Sequence, residues 1–236
     1  MIDGVIFDKD GTLFDFRRSW GGWTARLVRE IAAERAGAPD EAQAARLAAA
    51  IGYDLGAGVF SPDSPVIAAT ADDIAAALVP LLPGTTQMRL AARMNALAEA
   101  TPMAEAVPLL AVLTALRSRG LRLGLATNDA EAAARAHLTA HGVAHLFDMI
   151  AGFDSGHGAK PGPGMLLAFA AHCGLTPARV VMVGDSHHDL MAGHAAGMRC
   201  VAVLTGIAGA DELGPHADAV LPDISALGGW IDGLSV

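Results

Sequence analysis

Four short apolar runs in this chain each stop at a loop of polar residues and glycine, with helical periodicity in the intervals. Val5-Ile6-Phe7 runs into Asp8-Lys9-Asp10-Gly11-Thr12, and residues 121–126 run into Thr127-Asn128-Asp129. Residues 180–183 run into Gly184-Asp185-Ser186, and residues 200–204 end in Thr205-Gly206. An apolar run of this length, closed by turn residues, is the pattern of a strand buried on both faces. Weaker strand patterns cover 148–151 and 219–221. The helical stretches 108–119, 130–141, 163–173 and 187–196 are followed by Gly120, Gly142, Gly174 and Gly197, as helix C-termini favour. Strand, polar loop, helix and glycine in alternation predict the α/β class, a doubly wound, Rossmann-like parallel sheet.

Residues 16–104 break that rhythm. Stretches 19–37, 40–52, 71–82 and 86–100 carry alanine-rich helical periodicity, and Thr70-x-x-Asp73 offers a capping box for the third. Ser61-Pro62-Asp63-Ser64-Pro65 and Pro83-Gly84 punctuate the helices. The expectation is an all-helical insertion over 16–104 between two parts of one α/β core, 1–15 and 105–236. With 236 residues, 53% hydrophobic and 17% charged, the chain can bury such a core without disulfides or structural metals.

Several function classes are disfavoured at this level. No run reaches the roughly 18–20 apolar residues of a membrane span. The start shows no basic segment followed by an apolar stretch, so no secretory signal is expected. Cys173 and Cys200 have no metal-ligand or disulfide-framework spacing, which predicts a reduced, cytoplasmic protein. The net charge is −9 with no Lys/Arg block, so neither nucleic acid nor a membrane is an expected partner. A small anionic metabolite remains compatible, because local donors can outweigh a distant net charge. The sequence does not set the oligomeric state.

In an open α/β sheet, ligands bind beyond the C-terminal ends of the strands. Asp8, Asp10, Thr127, Asn128, Lys160, Asp185 and Asp189 all lie in loops or first helical turns expected there. Crowded carboxylates repel one another unless a cation neutralises them, and hard oxygen donors favour Mg2+. Thr127 and Asn128 lie just before a helix, where a hydroxyl and backbone N–H groups suit an anion. Lys160 can pair with a phosphate and a carboxylate at once. This set describes a phosphoryl site. Asp8 is placed as the nucleophile and Asp10, two residues on, as the acid and base, while Gly11 lets the backbone turn close to the phosphate.

The run Asp8-Lys9-Asp10-Gly11-Thr12-Leu13 resembles the first motif, DxDGT, of the haloacid dehalogenase superfamily. Leu125-Ala126-Thr127-Asn128 is similar to its second motif, Lys160-Pro161 to its third, and Gly184-Asp185-Ser186-His187-His188-Asp189 to its fourth, GDSxxD. The helical insertion resembles the cap of the phosphoglycolate phosphatase-like branch. The resemblance implies Asp8 as nucleophile and magnesium ligand, and Asp10 as acid/base and a ligand through its carbonyl. It also implies Asp185 as a direct ligand, Asp189 and Ser186 as supports, and Thr127, Asn128, Gly11 and Lys160 around the phosphate. The implied activity is magnesium-dependent hydrolysis of a small phosphorylated metabolite, with 2-phosphoglycolate foremost.

A sugar-phosphate mutase would share all four motifs. A receiver-like phosphoacceptor module also uses Asp, Thr and Lys around magnesium, but has no place for the insertion. A Schiff-base hydrolase of this superfamily would need a cap lysine, and residues 16–104 contain none. Arg17, Arg18, Trp20 and Trp23 lie near the expected hinge, where an arginine could grip a substrate carboxylate or simply face solvent. His187 and His188 are read as rim residues.

Overall fold

The computed structural model describes residues 2–234. Strand β1 (Gly4–Phe7) leads into α1 (Phe16–Ala36), α2 (Glu41–Ala50), β2 (Tyr53–Asp54), β3 (Val59–Phe60), α3 (Ala71–Leu78) and α4 (Gln87–Glu99). The chain continues through α5 (Leu109–Ser118), β4 (Arg122–Ala126), α6 (Glu131–Ala140), β5 (Met149–Ala151) and α7 (Gly164–Cys173). It ends with β6 (Val180–Gly184), α8 (His187–Ala195), β7 (Arg199–Val203), α9 (Ala210–Leu213), β8 (Ala219–Leu221) and α10 (Leu227–Gly233).

Six strands form one parallel sheet in the order β5-β4-β1-β6-β7-β8. The chain builds outward from β1 through β4 and β5, then crosses back to β6 and builds the other way. The reversal lies between β1 and β6, where a doubly wound sheet opens a crevice at its C-terminal end. Side chains alternate across the sheet as strand geometry requires. Val5 and Phe7 join Leu123, Leu125, Val181 and Val183 in one core. Ile6 and Met182 face the other way, onto Met165 and Phe169 of α7. Gly124 makes room there: a Cβ would come within 2.6 Å of the Phe169 ring.

The insertion packs α1 on α2 and α3 on α4, and α4 lies against α6 of the core. The capping box forms, with Asp73 N–H donating to Thr70 Oγ1 at 3.3 Å and Thr70 N–H to Asp73 Oδ2 at 3.1 Å. The insertion is helical as expected, with one addition, the short antiparallel ribbon of β2 and β3. Two residues per strand are too few to write an alternating pattern into the sequence. The ribbon is held by Tyr53 against Phe60, ring centroids 4.7 Å apart, and by Tyr53 Oη donating to Gly21 O at 3.0 Å. Among the described residues, no helix is long and apolar enough to cross a membrane.

The connections into and out of the insertion run side by side. Asp15 N–H donates to Ala104 O at 2.8 Å, and Ala106 N–H to Leu13 O at 3.0 Å. This pairing fixes where α1 leaves the sheet and stands its first turns over the end of β1.

Candidate active site

Asp8 is the first residue beyond β1, and its N–H still donates to Val183 O at 2.8 Å. That last rung points the carboxylate out of the sheet end between β4 and β6. The chain then doubles back, with Leu13 and Phe14 N–H donating to Lys9 O at 3.0 and 3.1 Å. The turn depends on Gly11, at φ +81°, a conformation that side-chain-bearing residues rarely adopt. A Cβ there would also overlap the Asp185 carboxylate. Gly206, on the loop after β7, leaves room for the same carboxylate, since a Cβ there would also overlap it. Thr205 Oγ1 donates to Gly11 O at 2.5 Å and ties the two loops together.

Lys160 brings the centre together. Its Nζ donates to Asp8 Oδ1 at 2.5 Å and to Asp189 Oδ1 at 2.6 Å, with all three side chains buried. Asp189 also caps α8, accepting from Ser186 N–H at 3.1 Å and Ser186 Oγ at 2.7 Å. Asn128 positions the lysine. Its Oδ1 accepts from Lys160 N–H at 2.8 Å, and its Nδ2 donates to Lys160 O at 2.9 Å. The same Nδ2 donates to Ala68 O of the insertion at 2.8 Å. The Asn128 side chain spends its hydrogen bonds on the lysine loop and the insertion, which leaves the backbone N–H groups expected at this helix start as its offer to an anion. Thr127 lines the cleft beside Asp8, its Oγ1 accepting from Asp129 N–H at 3.1 Å.

Burial pushes Asp8 up to about 7, with the charges of Asp189 and Asp10 adding to the rise and Lys160 opposing it. Asp185 is driven well above the ordinary carboxylate range, first by burial, then by the charges of Asp8 and Asp189. Lys160 moves further up despite burial, because Asp189 and Asp8 hold its proton. Asp8, Asp185 and Asp189 each offer a carboxylate oxygen, and these atoms lie within 4.8 Å of one another. Three buried carboxylates facing one ammonium form an under-neutralised oxygen cluster, the chemistry that a small hard cation fits. The Asp10 carboxylate stands outside that cluster, so an Asp10 contribution to a metal would have to come from its backbone, as the resemblance implied.

Asp10 belongs to a second cluster, around the buried Lys9, which the sequence did not point to. Lys9 Nζ lies 2.8 Å from Asp10 Oδ2, 2.9 Å from Asp129 Oδ2 and 3.2 Å from His137 Nδ1. Trp20 Nε1 of α1 donates to Asp10 Oδ1 at 2.7 Å, and Lys9 also sits 5.2 Å from the centre of the Trp20 ring. His137 Nε2 lies 2.8 Å from Ala98 O of α4. An ammonium at Nδ1 and a carbonyl at Nε2 require a neutral imidazole protonated on Nε2. Burial first, then the Lys9 charge, lowers His137 to about 4. Lys9 was legible as a lysine in the motif loop, and Trp20 as an aromatic near the hinge. Nothing local in the sequence marks Asp129 and His137 as its partners.

Above both clusters is a cleft roofed by the insertion through Phe16, Trp20, Trp23, Ile67, Ile74 and Met94. Arg17 and Arg18 face solvent outside it, while His188 lies on its core side.

The haloacid dehalogenase-like hydrolase family matches residues 2–197. The phosphoglycolate phosphatase of Rhodospirillum rubrum is 35% identical over 234 residues, 98% of this chain and 91% of that protein. The phosphoglycolate phosphatase of Cereibacter sphaeroides is 35% identical over 198 residues, 84% and 83% of the two chains. The crystal structure of a predicted phosphoglycolate phosphatase from Haemophilus somnus 129PT shares the fold at TM-score 0.74 and 20% identity, over 98% of each chain. Match, motifs and sheet order agree: the chain is a member of the haloacid dehalogenase-like hydrolase family.

Proposed function

We propose that this protein is a phosphatase that hydrolyses a small phosphomonoester through a phosphorylated Asp8, with residues 16–104 acting as the cap over the reaction. The observation that carries this reading is Lys160, which joins Asp8 to Asp189 at the sheet switch point with Asp185 and Thr127 alongside. An Asp8 oxygen bonds to phosphorus as the ester P–O bond breaks, and the departing alkoxide takes a proton from Asp10. Water then attacks the acyl phosphate and gives its proton to Asp10, and the P–O bond to Asp8 breaks to release phosphate. Lys160 and the N–H groups beside Thr127 offset charge on the phosphoryl oxygens.

Mg2+, held by Asp8 and Asp185 with Asp189 close behind, would supply electrostatic stabilisation of the phosphoryl group. The cap excludes bulk water through the roof of aromatic and aliphatic side chains. 2-Phosphoglycolate, which the relatives' names carry and the sequence resemblance favours, is the reference ester for the assay.

The test is phosphate release from a panel of small phosphomonoesters with and without Mg2+, for the native protein and Asp8→Asn. The expected result is magnesium-dependent release that Asp8→Asn abolishes. Undiminished release by Asp8→Asn would refute the covalent route.

A further inference from the structure

The cap side of the cleft lacks the chemistry needed to hold a charged leaving group. Among the described residues, every one of 16–104 that lines it is apolar or aromatic except Asn95. Among the described residues, Lys160 is the one lysine or arginine in the lining, and it is engaged by Asp8 and Asp189. The paired cap arginines are spent elsewhere. Arg93, next to the lining residues Met94 and Asn95, turns away to Glu34 at 2.6 Å and Glu30 at 3.3 Å. Arg26 pairs with Glu30 and Arg29 with Glu41, and Arg17 lies beside Asp15 and the 204–210 loop. Asp10 and Asp129 also line the cleft, two carboxylates sharing the single ammonium of Lys9. A substrate carboxylate reaching the cap would lose its water and find no counter-ion among the described residues.

The same wall offers neutral hydrogen bonding. Trp23 lines the cleft 7% exposed, and its indole Nε1 is buried with no partner among the described residues. A buried donor left unpaired is costly, and an oxygen on a bound molecule would relieve that cost. Asn95 adds an amide on the α4 side.

We propose that the preferred substrate is a phosphate monoester of an uncharged, largely apolar alcohol, aliphatic or aromatic, carrying at most a neutral hydrogen-bond acceptor for Trp23 and Asn95. This rests on the phosphatase reading and narrows it, setting the site against 2-phosphoglycolate. Trp23, Asn95 and the roof are then the residues that determine specificity.

The test pairs turnover with binding, so that failure of the proposal is distinguished from failure of the phosphatase reading. At pH 8, kcat/KM is compared for benzyl phosphate and 2-phosphoglycolate with Mg2+. Dissociation constants for benzylphosphonate and phosphonoacetate, which cannot be hydrolysed, are measured by calorimetry. The expected result is a preference of at least about tenfold for the benzyl compounds in both measurements. Asn95→Arg, at a half-buried position, should shift that ratio toward phosphoglycolate by about tenfold or more, mainly through KM.

Equal or better use of phosphoglycolate by the native protein would overturn the proposal and leave the phosphatase reading standing. Phosphonate binding with the benzyl preference, but no hydrolysis of either ester, would overturn the phosphatase reading and the substrate proposal together. Binding of neither phosphonate would overturn the proposal.

Discussion

Replacing Lys9 by Met keeps the aliphatic stem and removes the ammonium that two partly buried carboxylates share. In the native protein that ammonium is fully buried, 2.8 Å from Asp10, 2.9 Å from Asp129 and 3.2 Å from His137 Nδ1. Removing one partner from a buried ion pair typically costs about 3–5 kcal/mol, because the remaining charge stays buried without compensation. For a chain of this size, 1 kcal/mol moves the melting temperature by about 2–4 °C. Lys9→Met should therefore melt roughly 6–20 °C below the native protein. The loss should come from unpaired charge rather than lost packing, so Asp129→Asn added to Lys9→Met should recover at least about 1 kcal/mol. The assay is urea and thermal unfolding of the native protein, both single variants and the double variant. A Lys9→Met loss below about 1 kcal/mol, or strict additivity in the double variant, would refute the reasoning.

Other outcomes follow from the same contacts. Gly206→Ala places a methyl group against the Asp185 carboxylate, so the Mg2+ concentration for half-maximal activity should rise at least about tenfold. An unchanged magnesium requirement would remove Asp185 from the metal site. His137 is neutral in the fold, moved from 6.5 to about 4, so between those pH values the unfolded chain binds a proton that the folded chain refuses. Its contribution makes stability fall as pH drops from about 6.5 to about 4, by roughly 3 kcal/mol in all. His137→Gln can still accept from Lys9 and donate to Ala98 O, so it should flatten that slope; parallel pH profiles would show the imidazole is not its source.

The sheet was legible because its strands are buried on both faces, so apolar runs such as Val5-Ile6-Phe7 stand out against polar loops. The helix ends were legible for a different reason. Gly174, at φ +66°, occupies a position that favours glycine, and Gly120, Gly142 and Gly197 do the same. Where local pattern is weak, the reading stopped. The ribbon of β2 and β3 is defined by pairing rather than periodicity, and α10 carries three glycines that hide its helical signal.

The site divides along the same line. Asp8, Lys160, Asp185 and Asp189 were found because each interrupts or follows an apolar strand with a polar group, and they meet in space. The second cluster joins Lys9 to Asp129 and His137 across a sequence separation of 128 residues for the latter, set by α6 packing under α4. The positioning role of the Asn128 side chain was hidden because its partners, Lys160 and Ala68, lie far away in the sequence.

The central claim is that Asp8 carries the phosphoryl group. A crystal grown with Mg2+ and beryllium fluoride tests it directly, since the fluoride adduct mimics a phosphorylated carboxylate. The account predicts the adduct on an Asp8 oxygen, with Lys160 and the N–H groups beside Thr127 around its fluorines. An adduct on Asp10, or beryllium fluoride in the cleft with no bond to Asp8, would contradict it.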